Sequence, residues 1–484
     1  MNHKSNTKSG SMETEIVVIG GGGGGLAAAL AAAEKGADVL VLEKRSTAGG
    51  NASLAGGIFA VESHVQKRNH IETRKDDLFK AAMNHAHWKI DPRIVRVIID
   101  RSGDTIQWLE DKGLKFQVSM FYPDLPKTAH MAEGHGAGIV KTLVRKCGEL
   151  GVQFLYQTAA KRILIGAEGN TVGVQAAVKD KEFEITAKSI IIATGGYAGN
   201  RSLLKKYYPF YTEGLHAIGL PHTGDGLLMA VEIGATVEGL GILHLRGPYF
   251  QGAMEGVVAA MQPNTIWVNK KGERFVDEGK AFYWPEAANA LNMQPDKISY
   301  TLFDNKLKEI FTEKGITLGY NRFRENAKLT ELEKKLKLEA AEGRAIKSDS
   351  WEEIASWIGA DHAVLVNTVD EYNNLCDQKQ DKMFVKDERF LVPIRTPPYY
   401  AIKCNQGFFA TIGGIKINHR MEVLDHQSVP LPGLYAAGND TGGWESDTYS
   451  LALPGMTFGF AINSGRIAGE KAAGYVFTKA DLTT

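Results

Sequence analysis

The chain has 484 residues, with 56 Lys and Arg against 56 Asp and Glu and a formal net charge of +0. That balance, with no long run of like charge, excludes the basic footprint of a nucleic-acid binder, while 44% hydrophobic content suits a globular enzyme of two or more domains. The cysteines Cys147, Cys376 and Cys404 lie far apart, without C-x-x-C, haem-attachment or zinc spacing, and read as buried free thiols in a reducing compartment; no metal site is expected.

The opening residues 1–12 are polar and are expected to be a disordered tail. They lack the apolar stretch of a secretory signal and a twin-arginine pair, so a cytoplasmic location is expected. Residues 14–43 then read strand, glycine turn, helix, strand. Ile16 to Ile19 run into G-x-G-x-x-G at Gly20, Gly22 and Gly25; an alanine-rich helix pattern follows from Leu26 to Lys35, and Ala37 to Leu42 lead to Glu43. An acid about 20 residues past the glycines completes a dinucleotide-binding unit. Gly20 permits the tight turn, Gly22 lets backbone approach a pyrophosphate, Gly25 lets helix and strand pack, and the helix N-terminus faces the phosphates. Glu43 is suited to ribose hydroxyls. Residues 16–33 carry no charge, but six consecutive glycines cost roughly 1 kcal/mol each in a helix, which disfavours a membrane span.

Gly49, Gly50, Asn51 and Ser53 form a second small-residue loop, suited to lie against a flat ring. Residues 75–150 carry apolar residues at helical spacing, ending in a helix over 134–151. Strands are expected at 152–158, in a hairpin around Glu168-Gly169-Asn170, and at 189–196, ending in Thr194-Gly195-Gly196. His222-Thr223-Gly224-Asp225-Gly226 precedes another helix. From 246 aromatic and charged residues mix, and 325–360 is rich in Lys and Glu; 246–380 reads as an inserted domain. The strand-and-turn pattern 433–440 and a helix over 465–477 close the chain. A nucleotide motif at the start with matching strand–glycine elements near the end suits FAD better than NAD. A two-dinucleotide reductase needs a second G-x-G-x-x-G, and the glycines after the 189–196 strand do not supply it.

The segments 16–44, GGNAS (49–53), IIIATGGYAGN (190–200), HTGDG (222–226), GERFVDE (272–278), TIGGIKIN (411–418) and PGLYAAGN (432–439) occur in this order. Together they resemble the flavoprotein superfamily of soluble fumarate reductases and 3-ketosteroid dehydrogenases, over about residues 12–477. The resemblance implies an α/β fold: a Rossmann-type, glutathione-reductase-like FAD-binding domain (13–245 and 381–484) interrupted by an α+β capping domain (246–380). It implies adenosine at the glycine turn and Glu43, and the flavin ring at Gly49–Ser53 and Gly438–Asn439. Lys44, Gly57, Ala160, Thr194, Gly195, Asp225 and Leu453 complete the expected cofactor set, with Asp225 also suited to cap the next helix. Relatives with covalent flavin carry a histidine in the loop region; 44–57 has none, so non-covalent FAD is expected.

The shared chemistry is hydride transfer at flavin N5 to or from a C=C bond α,β to a carbonyl, with a proton moving on the neighbouring carbon. The chain departs from the fumarate branch at three places: Ala410 stands where that branch has a substrate-binding histidine, Ala452 where it has an arginine, and Phe282 where it has the proton-donating arginine. A dicarboxylate would lose its counter-charges. The ketosteroid branch fits better. It suggests Tyr283 as proton-transfer residue, with Lys280 assisting and Glu286 as rival, and Tyr449 with backbone near Gly455 as carbonyl donors. Tyr122, His130, His135, His244 and Arg246 are further candidates for substrate contact. The expected activity is desaturation or reduction of a cyclic or bulky ketone, with an external electron partner. The alternatives are a reductase of another unsaturated acid, using Lys280 or Arg246, and a flavin protein that only relays electrons.

Overall fold

The computed structural model describes residues 12–179, 181–320 and 323–481. The expected tail lies outside the described residues except for Met12, which opens the first strand. The chain divides into two compact units. One takes the residues up to 209, 219–244 and those from 410 onward; the other takes Phe210–Ile218 and Leu245–Phe409.

The first unit is built on a largely parallel sheet. Met12–Ile19 pairs in parallel with Val39–Glu43 on one side and Lys181–Ile192 on the other. Gln153–Tyr156 extends the first side, while Pro430–Ala436 extends the second in parallel and Glu422–Leu424 closes it antiparallel. Ile16, Val17, Val18 and Ile190 to Ile192 are fully or almost fully buried. Strands covered on both faces need apolar side chains on both faces, hence unbroken runs rather than alternation. The expected hairpin is Thr158–Ile165 against Thr171–Val178, and the latter also pairs with Lys181–Ile192.

The helix Gly23–Glu34 follows the first strand and packs along the closing helix Met456–Asp481. The two backbones approach so closely that a Cβ at Gly465 or Gly469 would overlap the carbonyl oxygen of Gly24 or Ala28. Small residues on both helices permit this approach.

The 75–150 region is helical over Lys75–His85, Pro92–Glu110 and His135–Glu149. Asp91 caps the second, its carboxylate accepting the Arg93 N–H at 2.8 Å, with Pro92 in the first turn. Between them the helical expectation gives way: Phe116–Ser119 and Ala129–Ala132 pair antiparallel, and Ile58–Phe59 joins the second. Pro123 and Pro126 stand between these strands and disfavour a continuous helix.

In the second unit the strand Tyr399–Thr411 pairs antiparallel with Ser299–Asp304 and with Ala345–Ser348, and parallel with His216–Ala217. This spine is why the unit runs to Phe409 rather than ending at 380, and why Phe210–Ile218 joins it. Phe250, Val258, Leu302, Phe303, Phe311, Ile354 and Tyr372 form its core. Beside the core lies a buried ion cluster. The Arg274 guanidinium reaches Glu278 at 2.8 Å and Asp381 at 3.0 Å, and Lys386 reaches Glu278 at 3.1 Å.

Candidate active site

The glycine turn sits where the central strand meets its helix. Gly20 has φ +104°, a conformation that L side chains rarely adopt, and a Cβ there would overlap the Ala193 carbonyl. At Gly22 the nearest atom to a Cβ would be the Gly49 oxygen at 4.0 Å, so this backbone face is open. The helix begins at Gly23 with no side-chain cap and no acidic residue in its first turn. Its N–H groups and positive dipole end thus form an anion site. A Cβ at Gly25 would overlap the Gly20 carbonyl, so this glycine serves packing.

Glu43 ends the second strand and is 7% exposed. One carboxylate oxygen accepts the Gly21 N–H at 2.9 Å and the other the Arg45 N–H at 2.8 Å. Each oxygen keeps a lone pair for a ribose hydroxyl. Lys44 donates to Thr223 at 2.7 Å and pairs with Asp225 at 2.8 Å. Burial would raise the Asp225 pKa, but the Lys44 ammonium and the Thr223 hydroxyl outweigh it and hold it low. Asp225 opens the helix Asp225–Glu232.

The second loop lies against the first. The Gly49 N–H donates to the Gly21 carbonyl at 2.7 Å. Asn51 Oδ1 accepts the Leu220 N–H at 2.6 Å, and Ser53 Oγ occupies the space a Gly49 side chain would need. Gly57 abuts the His130 carbonyl. Ala160 is in the hairpin strand opposite Ala176.

Two residues that sequence reasoning left aside organise the rest. The Asp440 carboxylate is fully buried and accepts N–H groups from Thr194, Gly195 and Gly196 as well as the Thr194 hydroxyl. It thereby ties the end of Lys181–Ile192 to the turn Gly438–Asp440. Burial raises its pKa against these donors. The His222 ring packs on the Gly195 backbone and near Gly50. Burial, with Lys44 and Arg45, pushes its pKa down to about 4, so the ring is neutral. The signals available were an acid directly after a strand-and-glycine turn and a histidine in a glycine-rich loop.

An FAD fits this arrangement. The helix end is uncapped, the Gly22 face is open, and among the described residues His222 Nδ1 and Asn439 Oδ1 are buried with no hydrogen-bond partner. Gly438 is held through its N–H by Ser464 Oγ at 3.0 Å, and Leu453 is buried nearby in sequence to the closing helix.

Of the residues expected to meet substrate, Tyr449 has the most developed surroundings. It is 4% exposed and lies beside Thr457 at the start of the closing helix. Burial pushes its pKa to about 12, so it stays protonated. His244 stacks on it and bonds Thr457 Oγ1 through Nδ1 at 3.2 Å; burial holds its pKa near 3, so it is neutral. Glu445, another residue sequence reasoning passed over, is 5% exposed and accepts the Ser450 N–H at 3.2 Å. Burial pushes its pKa up to about 8. Gly455 directs its carbonyl to the Phe59 N–H at 3.0 Å.

His130 is fully buried, with Nε2 on Ser63 Oγ at 2.7 Å and Nδ1 on the Thr128 carbonyl at 2.9 Å. Both ring nitrogens are committed, which leaves neither for a ligand. Tyr122 is buried edge-on to Phe121, and His135 starts its helix with Nδ1 3.3 Å from the Gly56 carbonyl.

In the second unit Tyr283 precedes the helix Trp284–Asn292, with the Lys280 ammonium 5.4 Å from its ring centroid. Glu286 is exposed in that helix's first turn. Phe282 packs on Phe390. Arg246 is 1% exposed, with Tyr320, Trp284 and Tyr249 rings around its guanidinium.

Fold and site together define a dinucleotide-binding flavoprotein. The chain belongs to the FAD binding domain family, whose model matches residues 15–451. It is 33% identical over 458 residues to a vinyl phenol reductase of Lactiplantibacillus plantarum, covering 91% of this chain and 92% of that protein. A flavocytochrome c3 fumarate reductase in its open conformation superposes with a TM-score of 0.75 at 28% identity, covering 97% of this chain and 79% of that one. A 3-ketosteroid Δ1-dehydrogenase from Sterolibacterium denitrificans has the same fold, with a TM-score of 0.82 at 19% identity over 96% of this chain and 99% of that one. The chain is an FAD-dependent oxidoreductase acting on C=C bonds of unsaturated compounds. Among the described residues no helix is long and apolar enough to cross a membrane.

Proposed function

We propose that the chain introduces or reduces a C=C bond α,β to a carbonyl in a cyclic or otherwise bulky ketone. The observation that carries this reading is Tyr449 at the head of the closing helix. It is buried, stacked on His244 and protonated, which suits it as a neutral O–H donor to a carbonyl oxygen. Bound FAD supplies or accepts the hydride at N5. Tyr449 polarises the conjugated carbonyl. In the second unit Tyr283, with the Lys280 ammonium 5.4 Å from its ring centroid, is the proposed proton-transfer residue. Ala410, Ala452 and Phe282 offer no charge to a dicarboxylate. The vinyl phenol reductase likeness supports a ring-bearing substrate. Electrons come from or pass to an external partner.

The test is anaerobic. Bleaching of the flavin band near 450 nm by saturated cyclic ketones, or reoxidation of reduced flavin by cyclic enones, is the expected result. Response to succinate or fumarate alone would overturn the reading. A second reading, an unsaturated monocarboxylic acid, is favoured by one observation: the buried cation Arg246 has no carboxylate within salt-bridge distance among the described residues.

A further inference from the structure

Among the described residues Arg246 is a charge without a counter-charge. Its side chain is 1% exposed, and its Nε and Nη1 are buried with no hydrogen-bond partner among the described residues. Among the described residues its Nη2 hydrogen-bonds a thioether, Met261 Sδ at 2.6 Å. Three rings surround the guanidinium carbon, with centroids at 4.1 Å for Tyr320, 5.2 Å for Trp284 and 5.3 Å for Tyr249. Ring faces attract a cation, but they do not replace the hydrogen bonds of two buried N–H groups. Guanidinium stays charged when buried, so it cannot escape the cost by losing its proton. The buried arginine of the same unit shows the ordinary solution: Arg274 has Glu278 and Asp381 as partners. Arg246 has neither, and its free donors match one planar oxyanion.

We propose that Arg246, walled by Tyr249, Trp284 and Tyr320, is the receptor for the single carboxylate of an aromatic unsaturated acid. This rests on the second reading of the reaction given above. The aromatic walls accept a flat, apolar substrate body, and the guanidinium supplies the one charge that a monocarboxylate needs. A dicarboxylate would bring a second charge that this one guanidinium does not match.

The test measures binding, not turnover. Holoenzyme is titrated calorimetrically with 3-phenylpropanoate and with its neutral analogue 3-phenylpropanamide. The wild type should bind the acid at least tenfold more tightly than the amide. Arg246→Met should abolish that preference while leaving amide affinity within about twofold, and Arg246→Lys should restore part of it. Arg246→Met should also retain FAD and melt no lower than wild type, because it removes an uncompensated buried charge. Equal wild-type affinities for acid and amide, no binding of either, or a preference that survives Arg246→Met would overturn the proposal. Arg246-dependent binding of the acid by an enzyme that reduces no unsaturated acid would overturn the reaction reading and leave the carboxylate site standing.

Discussion

The imidazole of His244 lies stacked on the phenol ring of Tyr449, with centroids 3.9 Å apart and planes inclined by 23°. The His244 ring also bonds Thr457 at the start of the closing helix. The stack holds the plane of the Tyr449 ring and with it the position of the phenol oxygen.

Tyr449→Phe removes the proposed carbonyl donor and keeps the ring and its stack. Turnover should fall by about 10²–10³-fold, the usual loss for one oxyanion-type donor. FAD content should not change. Steady-state kinetics with absorbance at the flavin band checks this; activity within threefold of wild type would remove Tyr449 from the site.

The glycine turn separates ligand geometry from folding geometry. Gly22→Ala places a methyl in open space, so thermal stability of the apoprotein should be close to wild type while FAD affinity falls by an order of magnitude or more. Gly25→Ala meets the Gly20 carbonyl and should destabilise the fold by about 1–3 kcal/mol as an overpacked site. Melting curves with and without added FAD distinguish the two. A Gly22→Ala protein that holds FAD normally would place the pyrophosphate elsewhere.

Glu445 makes stability fall with pH. Its folded pKa is raised to about 8 by burial, well above the ordinary glutamate value of about 4.3. The folded state therefore retains a proton that the unfolded state has lost. The stabilisation is full below the ordinary value, declines by about 1.4 kcal/mol per pH unit between the two values and is gone above the folded one. Glu445→Gln should flatten stability between pH 5 and 8 and be the more stable protein at pH 8. Parallel denaturant profiles of the two proteins across that range would refute the assignment.

Glu278 has the opposite sign. Burial would raise its pKa, but Lys386 and Arg274 together lower it. Its stabilisation is present above the ordinary glutamate pKa and lost as pH falls through the folded value. Glu278→Gln leaves Lys386 without a carboxylate partner in the ion cluster and Arg274 with Asp381 alone, and should cost about 3–5 kcal/mol. Thermal melts at pH 7 test it; a loss below 1 kcal/mol would mean the cluster is solvated.

Much of the first unit was legible because local chemistry and fold agree there. The 16–19 and 189–192 runs are apolar because both sheet faces are covered, and the Gly20–Gly25 turn has a spacing that few other structures need. The strands Phe116–Ser119 and Ala129–Ala132 were not legible, being four residues each and flanked by helical patterns. Nor was the reach of the second unit, because residues 381–409 look like returning chain until the pairing of Tyr399–Thr411 with Ser299–Asp304 is seen. Asp440 and His222 carry no periodic signal: each acts through contacts with residues distant in sequence, Asp440 with Thr194 and His222 with Gly195. Arg246 was visible as a residue, but its lack of a counter-charge is a property of three dimensions alone.

The near-contact of Gly24 with Gly465 has a consequence for biosynthesis. The helix that carries the nucleotide turn leaves the ribosome before the surface it packs on, which lies about 440 residues further along the chain. At ordinary elongation rates that is a delay of roughly 20–90 s. Through this interval the face of Gly23–Glu34 that packs on Met456–Asp481 has no native cover.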